Sequence, residues 1–398
     1  MLFRSTLTAR KGPTPVFTRA STATFVGSDG LIQSAAINEP RFDHDPITLA
    51  CKGLLIEEAR TNLLAFSNQL DNFYWTRNNL SVTVDQTTAP DGTVTGDKII
   101  EDTANSSHYI GKSLVLTSGQ TYTQSYFLKA DGRTKVQIRR LTGSALPTPP
   151  TIIFDLSSGT YSGSVVSGWT NPFIENFGNG WYRIGISATA TSTTSDGMGL
   201  YLCDAGGNIS YLGDGTSGVY AWGAQLEAGA FPTSYIPTTT ASVVRSVDLC
   251  DITGSDFTGF YNGSEGTMVA TASAVGFTSN NNNTVVAIDS GTIGVMRILH
   301  RVAAGNKLSA LVSGVQLTPA SNYNTANVIY KSALAAGVDG ADYVIDGTQI
   351  PDTFTGSVLT ADNLKFSGVV ASTSNTTISS FRYYKKRLAT AKLVSLTS

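Results

Sequence analysis

Apolar and polar residues along this chain alternate in short runs, broken every few residues by Gly, Asn, Asp or Ser, which is how strands and turns are spaced. In Thr121-Tyr122-Thr123-Gln124-Ser125-Tyr126-Phe127-Leu128-Lys129, the side chains of Tyr122, Gln124, Tyr126 and Leu128 fall on one face. Val136, Ile138 and Arg140 alternate with Lys135, Gln137 and Arg139. Trp181-Tyr182-Arg183-Ile184-Gly185-Ile186 follows the turn signal Asn179-Gly180. Thr24-Phe25-Val26 and Leu31-Ile32-Gln33 flank Ser28-Asp29-Gly30, which predicts a hairpin. Tyr343-Val344-Ile345, Asp346-Gly347 and Thr348-Gln349-Ile350 predict a second one. The aromatic and β-branched content of these runs suits half-buried pleated surfaces. A helical period is absent until Leu388, Leu393 and Leu396, which place one short helix at the end. The fold class is therefore all-β.

Three segments emerge. Residues 1–61 carry a basic lead and the first hairpin, residues 62–240 end in a Pro/Thr-rich stretch of linker character, and residues 247–398 carry their own strands. Each of the last two is long enough for a sandwich or jelly roll. A chain of 398 residues has ample length for more than one core. No repeat with a period of 20–50 residues is evident, which disfavours a β-helix.

Charge and chemistry narrow the function. The 27 Lys and Arg nearly balance the 29 Asp and Glu, so no counterion-releasing basic surface for nucleic acid is expected. No apolar run has the length of a membrane helix, and the N-terminus lacks the apolar core of a signal peptide. Cys51, Cys203 and Cys250 are odd in number and far apart, which disfavours a disulfide framework or a metal knuckle. Neither a nucleophile elbow, a zinc-protease motif, a P-loop nor a cofactor fingerprint occurs, so the expectation is a non-enzyme without cofactor or metal.

The stretch Asn38-Glu39-Pro40-Arg41-Phe42-Asp43-His44-Asp45-Pro46, with Gly53-Leu54-Leu55-Ile56-Glu57-Glu58 and Arg60-Thr61-Asn62-Leu63-Leu64, resembles a module of tailed-phage virion proteins. That module precedes a carbohydrate-binding jelly roll in tail fibres and head spikes. Residues 62–240 resemble the jelly roll through residues 122–129, Gly180-Trp181-Tyr182-Arg183 and the closing Trp222-Gly223-Ala224-Gln225-Leu226-Glu227-Ala228-Gly229 with Pro232-Thr233-Ser234-Tyr235-Ile236-Pro237. Residues 247–398 are similar to concanavalin A-like, laminin G-like domains through Asp342-Tyr343-Val344-Ile345-Asp346-Gly347 and Phe381-Arg382-Tyr383-Tyr384-Lys385-Lys386-Arg387-Leu388. The resemblance implies a virion surface protein made in the bacterial cytoplasm. Its partners would be other virion proteins and host surface polysaccharide, and it would assemble symmetrically, often as a trimer. Fold alone establishes none of this.

Sugar recognition needs rings for pyranose C–H faces, with amides and Arg for hydroxyls. Tyr74, Trp75, Arg77, His108, Tyr109, Gln137 and Arg139 are the glycan-binding candidates, with core filling open as the other reading of Trp75 and Tyr109. Lys135, Gln137 and Arg139 equally suit an ordinary solvated face, and Trp181 and Trp222 read as core. Arg4, Arg10, Lys11 and Arg19 are the candidates for docking to the particle. Asp43-His44-Asp45 reads as an Asx turn before it reads as a metal site, since neighbours in a strand point apart. Asp339, Asp342 and Asp346 are calcium-type residues without a loop signature. Asn280-Asn281-Asn282-Asn283 reads as a loop tip, and Glu57 and Glu58 near Arg60 suggest an ion pair at a domain joint.

Overall fold

The computed structural model describes residues 7, 12–141, 143–274, 283–290, 294–301, 307–313, 315–317, 328–351, 361–366 and 375–398. The chain is all-β, with antiparallel sheets stacked into two sandwiches and, among the described residues, two short helices, Gly254–Thr258 and Thr390–Thr397. None of the described helices is long and apolar enough to cross a membrane.

The middle sandwich packs two six-stranded sheets. The front sheet runs in the order Thr160–Ser162, Ile153–Asp155, Lys135–Arg140, Met198–Leu202, Tyr109–Gly111, Thr76–Asn78. The back sheet runs Trp169–Gly178, Trp181–Thr189, Thr121–Asp131, Gly218–Ala228, Val94–Glu101, Leu80–Thr88. Period-2 alternation sends Val136, Ile138, Leu200 and Leu202 inward from the front, and Tyr126, Leu128, Ile184 and Ile186 inward from the back. Asn179 (φ 50°) and Gly180 (φ 81°) close the hairpin between the first two back strands, as their sequence predicts.

The other sandwich packs two seven-stranded sheets, and here the division of the chain differs from the three-segment expectation. Strand Val16–Thr18 pairs with Leu249–Thr253, and Cys51–Ile56 lies between Arg41–His44 and Thr376–Tyr384. Phe17, Phe42, Leu54 and Ile56 are buried in one core with Met268, Ile288, Tyr343 and Phe381. Strands Val16–Thr18, Arg41–His44 and Cys51–Ile56 of the expected N-terminal segment are therefore part of the C-terminal sandwich, and the middle sandwich is inserted between them and their partners. The physical reason is burial, because these four side chains find their apolar surroundings only across the insertion.

The hairpin of Ala23–Val26 and Ile32–Ala35 forms as expected, with Gly30 at φ 81°. It lies over the outer face of the back sheet. There Ile32, Phe127, Trp181, Trp222 and Tyr235 make a separate buried cluster. Trp181 and Trp222 are thus buried as expected, but in the joint between the sandwiches rather than inside the middle one. The Asp346-Gly347 hairpin also forms, with both residues at positive φ, and the terminal helix buries Leu393.

Charges fill the same joint. Arg41 contacts Glu57 at 2.7 Å and Asp248 at 2.5 Å, Arg245 contacts Glu57 at 2.9 Å, and Arg19 contacts Asp248 at 3.2 Å. Glu58 bonds Arg60, so the joint ion pair read from residues 57–60 exists and belongs to a larger network. Arg19, a docking candidate, is 1% exposed and committed to this network. It cannot meet another protein, because a buried guanidinium with a carboxylate partner has no reason to leave it. The other three, Arg4, Arg10 and Lys11, lie outside the described residues.

Candidate functional site

Register across the front sheet aligns one row of outward side chains. Gln137 sits opposite Tyr201, Tyr201 opposite Tyr109, and Tyr109 opposite Asn78. Their inward neighbours Ile110, Val136, Ile138, Leu200 and Leu202 are all in the core, so the row is forced outward. The Tyr109 and Tyr201 rings stack with centroids 4.6 Å apart and planes 26° apart. Tyr201 is 8% exposed while Tyr109 is half-buried. Burial, and after it the neighbouring Tyr109, push the Tyr201 phenol up to about 12, against an opposing pull from Arg139. It therefore stays a neutral hydrogen-bonding group at any physiological pH.

Gln137 supports the row rather than opening to solvent. It is 2% exposed, donates from Nε2 to the Gly207 carbonyl at 2.8 Å, and accepts from Arg139 at 2.8 Å. That fixes the half-buried Arg139 beside the tyrosine pair. Lys135 donates to the Ala205 carbonyl at 2.7 Å, so the loop after Leu202 is pinned to this face at two points. In the next row, Gly111 and Gly199 face each other and Leu141 fills the space above them.

The seven glycan candidates thus separate. Gln137 and Arg139 share the outer face, as the alternation predicted, and Tyr109, for which the sequence left core filling open, lies there with them. Trp75 is 4% exposed and belongs to the core, with its indole N–H donating to the Phe66 carbonyl at 3.1 Å. Tyr74 packs against that core, edge-on to Trp75, beneath the Lys112 ammonium. Arg77 caps the carbonyls of Asp71 and Asn72. His108 is fully buried, with Nδ1 2.6 Å from the Asn79 carbonyl and its ring 4.8 Å from that of Tyr211. These four hold local backbone and are corrected to structural residues. Burying the apolar rings is favourable, and the Trp75 indole N–H and His108 Nδ1 both meet backbone carbonyls.

Sequence reasoning missed two residues. Tyr201 completes the ring pair, and its signal was the alternation Met198-Gly199-Leu200-Tyr201-Leu202. Phe73, beside the two aromatics that were singled out, is fully exposed. Asp45 accepts the Ile47 and Thr48 amides at 3.0 and 2.8 Å, the Asx turn its sequence suggests. Asp342 binds Arg387 at 2.8 Å, whereas Asp346 accepts the Lys331 amide at 2.8 Å, so these two serve different turns. Among the described residues no group of three or more His, Cys, Asp or Glu is placed to hold a metal. Asn280, Asn281 and Asn282 lie outside the described residues, as does the Asn283 side chain.

A larger depression lies where the two sandwiches meet. It encloses about 1140 Å3 between the outer face of the back sheet and the turn after Arg41–His44, and its lining includes Asp43, Glu57, Phe173, Glu175, Phe177 and Arg183.

No family model matches this chain, and no curated protein matches it. Among solved structures it is similar to Trypanosoma rangeli sialidase in complex with the inhibitor DANA, with 10% identity, 80% of this chain and 62% of that one covered, and a TM-score of 0.31. Trypanosoma rangeli sialidase and its complex with sialic acid give 11% identity with the same coverage, at TM-scores of 0.30 and 0.29. The chain spans 62% of the length of those sialidases. The neighbours are enzymes, and a likeness this low assigns neither a fold family nor an activity.

Proposed function

We propose that this chain is a virion surface protein of a tailed phage, of tail-fibre or head-spike type, which uses its middle sandwich to hold surface polysaccharide of a bacterial host. The observation that carries the glycan part is the stacked Tyr109–Tyr201 pair on an outer sheet face, with Arg139 held beside it by Gln137. The partly exposed Tyr109 ring gives a pyranose C–H face an apolar platform, and the neighbouring guanidinium supplies donors for hydroxyls. The virion part rests on the resemblance of the 38–64 and 222–237 motifs. One such site binds weakly, and many copies on a particle turn weak contacts into firm adsorption. Other virion proteins, and further copies of this chain in a symmetric assembly, are the partners this reading supplies.

The test is retention of the purified protein on intact host cells and on cells stripped of capsule or O-polysaccharide. Retention should fall on stripped cells, and Tyr109→Ala should lower it by about tenfold on intact ones, the value of one ring contact of roughly 1–1.5 kcal/mol. Equal retention on both kinds of cell removes the receptor role and leaves a decoration protein of the particle.

A second reading, polysaccharide cleavage, is favoured by the carboxylates that line the junction cleft. Burial raises the Asp43 carboxyl above its ordinary range, as a general acid requires, and Glu175 shares the cleft. Release of reducing ends from host polysaccharide, lost in Asp43→Asn, would establish it. Intact polysaccharide after prolonged incubation would dismiss it.

A further inference from the structure

The junction cleft holds a charge that the fold leaves without a counter-charge in contact. Arg183 projects from the outer face of the back sheet, opposite Glu175 on one side and Phe127 on the other. It is 6% exposed, its guanidinium lies 5.3 Å above the Phe127 ring, and it donates to the Ser125 hydroxyl at 3.3 Å. Its Nε has no partner. Arg19, Arg41 and Arg245, buried more deeply still in the joint, each contact a carboxylate. Arg183 makes no such ion pair among the described residues, and Glu175, Glu227 and Glu57 act on it only through their longer-range field.

Burying a guanidinium against a single neutral acceptor is costly, and natural folds normally complete such a group with a carboxylate or phosphate. Arg presents a planar fork that suits a carboxylate held by two hydrogen bonds. The cleft around it is somewhat larger than the usual range of small-ligand sites, about 300–1,000 Å3. Half-buried Phe173 and Phe177 form an apolar wall beside Arg183, and Gly185 leaves the space in which the Phe173 ring lies. Glu175 lines the cleft opposite Arg183 with no ion pair among the described residues, and the remaining acids of the lining are already compensated. Glu57 takes Arg41 and Arg245, Asp43 has Lys52 at 3.9 Å, and Asp45 takes two amides.

We infer that the junction cleft binds a carboxylate-bearing sugar, such as a uronic acid residue of an acidic polysaccharide, with Arg183 as the receptor for the carboxylate and Phe173 and Phe177 against the ring. The choice of a sugar rests on the glycan reading above. The site itself is separate from the Tyr109 face, since it lies on the other sheet of the middle sandwich.

The test titrates the full chain with glucuronate and galacturonate, and with glucose and galactose as neutral counterparts, by ligand-observed NMR. The acids should bind at least about tenfold more tightly than the neutral sugars, and Arg183→Gln should remove that preference. Tyr109→Ala should leave it intact. Phe173→Ala, on an edge strand, should weaken uronate binding and keeps the test decisive if Arg183→Gln does not fold. Equal binding of acid and neutral sugars overturns the inference. So does uronate binding unchanged by either cleft variant, or no uronate binding up to about 10 mM. Uronate failure with cell retention still dependent on Tyr109 removes this inference alone. Uronate binding without such retention removes the Tyr109 reading instead.

Discussion

Replacing Glu57 with Gln probes the joint between the two sandwiches. The carboxylate is 1% exposed and accepts from Arg41 at 2.7 Å, from the Ser234 amide at 2.8 Å and from the Ser234 hydroxyl at 2.7 Å, with Arg245 at 2.9 Å. Burial alone would push this carboxyl up, but Arg245, Arg41 and Ser234 together hold it down to about 2. A fall from an ordinary 4.5 to about 2 corresponds to about 3 kcal/mol in favour of the charged form, at roughly 1.4 kcal/mol per pKa unit. Removing one partner of a buried pair costs about 3–5 kcal/mol by a separate route, so a loss of about 3–4 kcal/mol is expected at pH 7. The sign follows from the depressed value in the folded state. The stabilisation is complete above about pH 4.5 and disappears as the pH falls towards 2. Urea unfolding of the wild type and Glu57→Gln at pH 7 and pH 3, read by Trp fluorescence, measures both effects. Trp181 and Trp222 lie in the joint, so the transition that exposes them is the relevant one even if the sandwiches unfold separately. A loss below about 1 kcal/mol at pH 7, or a gap that does not narrow in acid, would refute the reasoning.

Three further outcomes are expected. Asp97 is 2% exposed and accepts the Leu70 and Asp85 amides at 2.8 and 3.1 Å, and burial pushes its carboxyl up to about 6. Its contribution is therefore full below about pH 4 and lost as the pH rises through 6; carboxyl NMR should show a midpoint near 6, and Asp97→Asn should lack that decline. Gly53 has φ 119° and a Cβ there would sit 2.3 Å from the Ile378 carbonyl oxygen, so Gly53→Ala should cost more than about 2 kcal/mol, and an unchanged melting temperature contradicts this. A fragment of residues 247–398 lacks strands Val16–Thr18, Arg41–His44 and Cys51–Ile56 and should be aggregation-prone; a soluble monomer with cooperative unfolding would show that those strands are dispensable.

The elements were legible where the signal is local. Asn179-Gly180 and Asp346-Gly347 carry the positive φ that two-residue hairpins need, and the flanking alternation fixes which side chains face inward. The inserted arrangement was not legible. Leu54, Leu55 and Ile56 read as an apolar strand in any setting, and nothing near them announces a partner at residues 376–378. Arg19 reads as part of a basic lead because Asp248, which neutralises it together with Arg41, is more than 200 residues away in the chain.

Periodicity identifies the two sides of a strand but not which side meets water. Tyr109 and Arg139 point outward on the front sheet and remain partly open, while Trp181 and Trp222 point outward on the back sheet and are covered by the N-terminal hairpin. Both pairs carry the same alternating signal. What separates them is whether another part of the chain returns to cover that face, and the return of residues 23–35 over the back sheet is a long-range event. That cover is also incomplete. Tyr235 and Ile32 cover the tryptophan half of the back sheet and form one wall of the cleft, which Arg183 and Phe173 also line. A buried guanidinium at such a place calls for compensation, so the proposed site lies at the seam, its Arg183, Phe173 and Phe177 supplied by one strand pair of the middle sandwich and its cover by the turn after Arg41–His44.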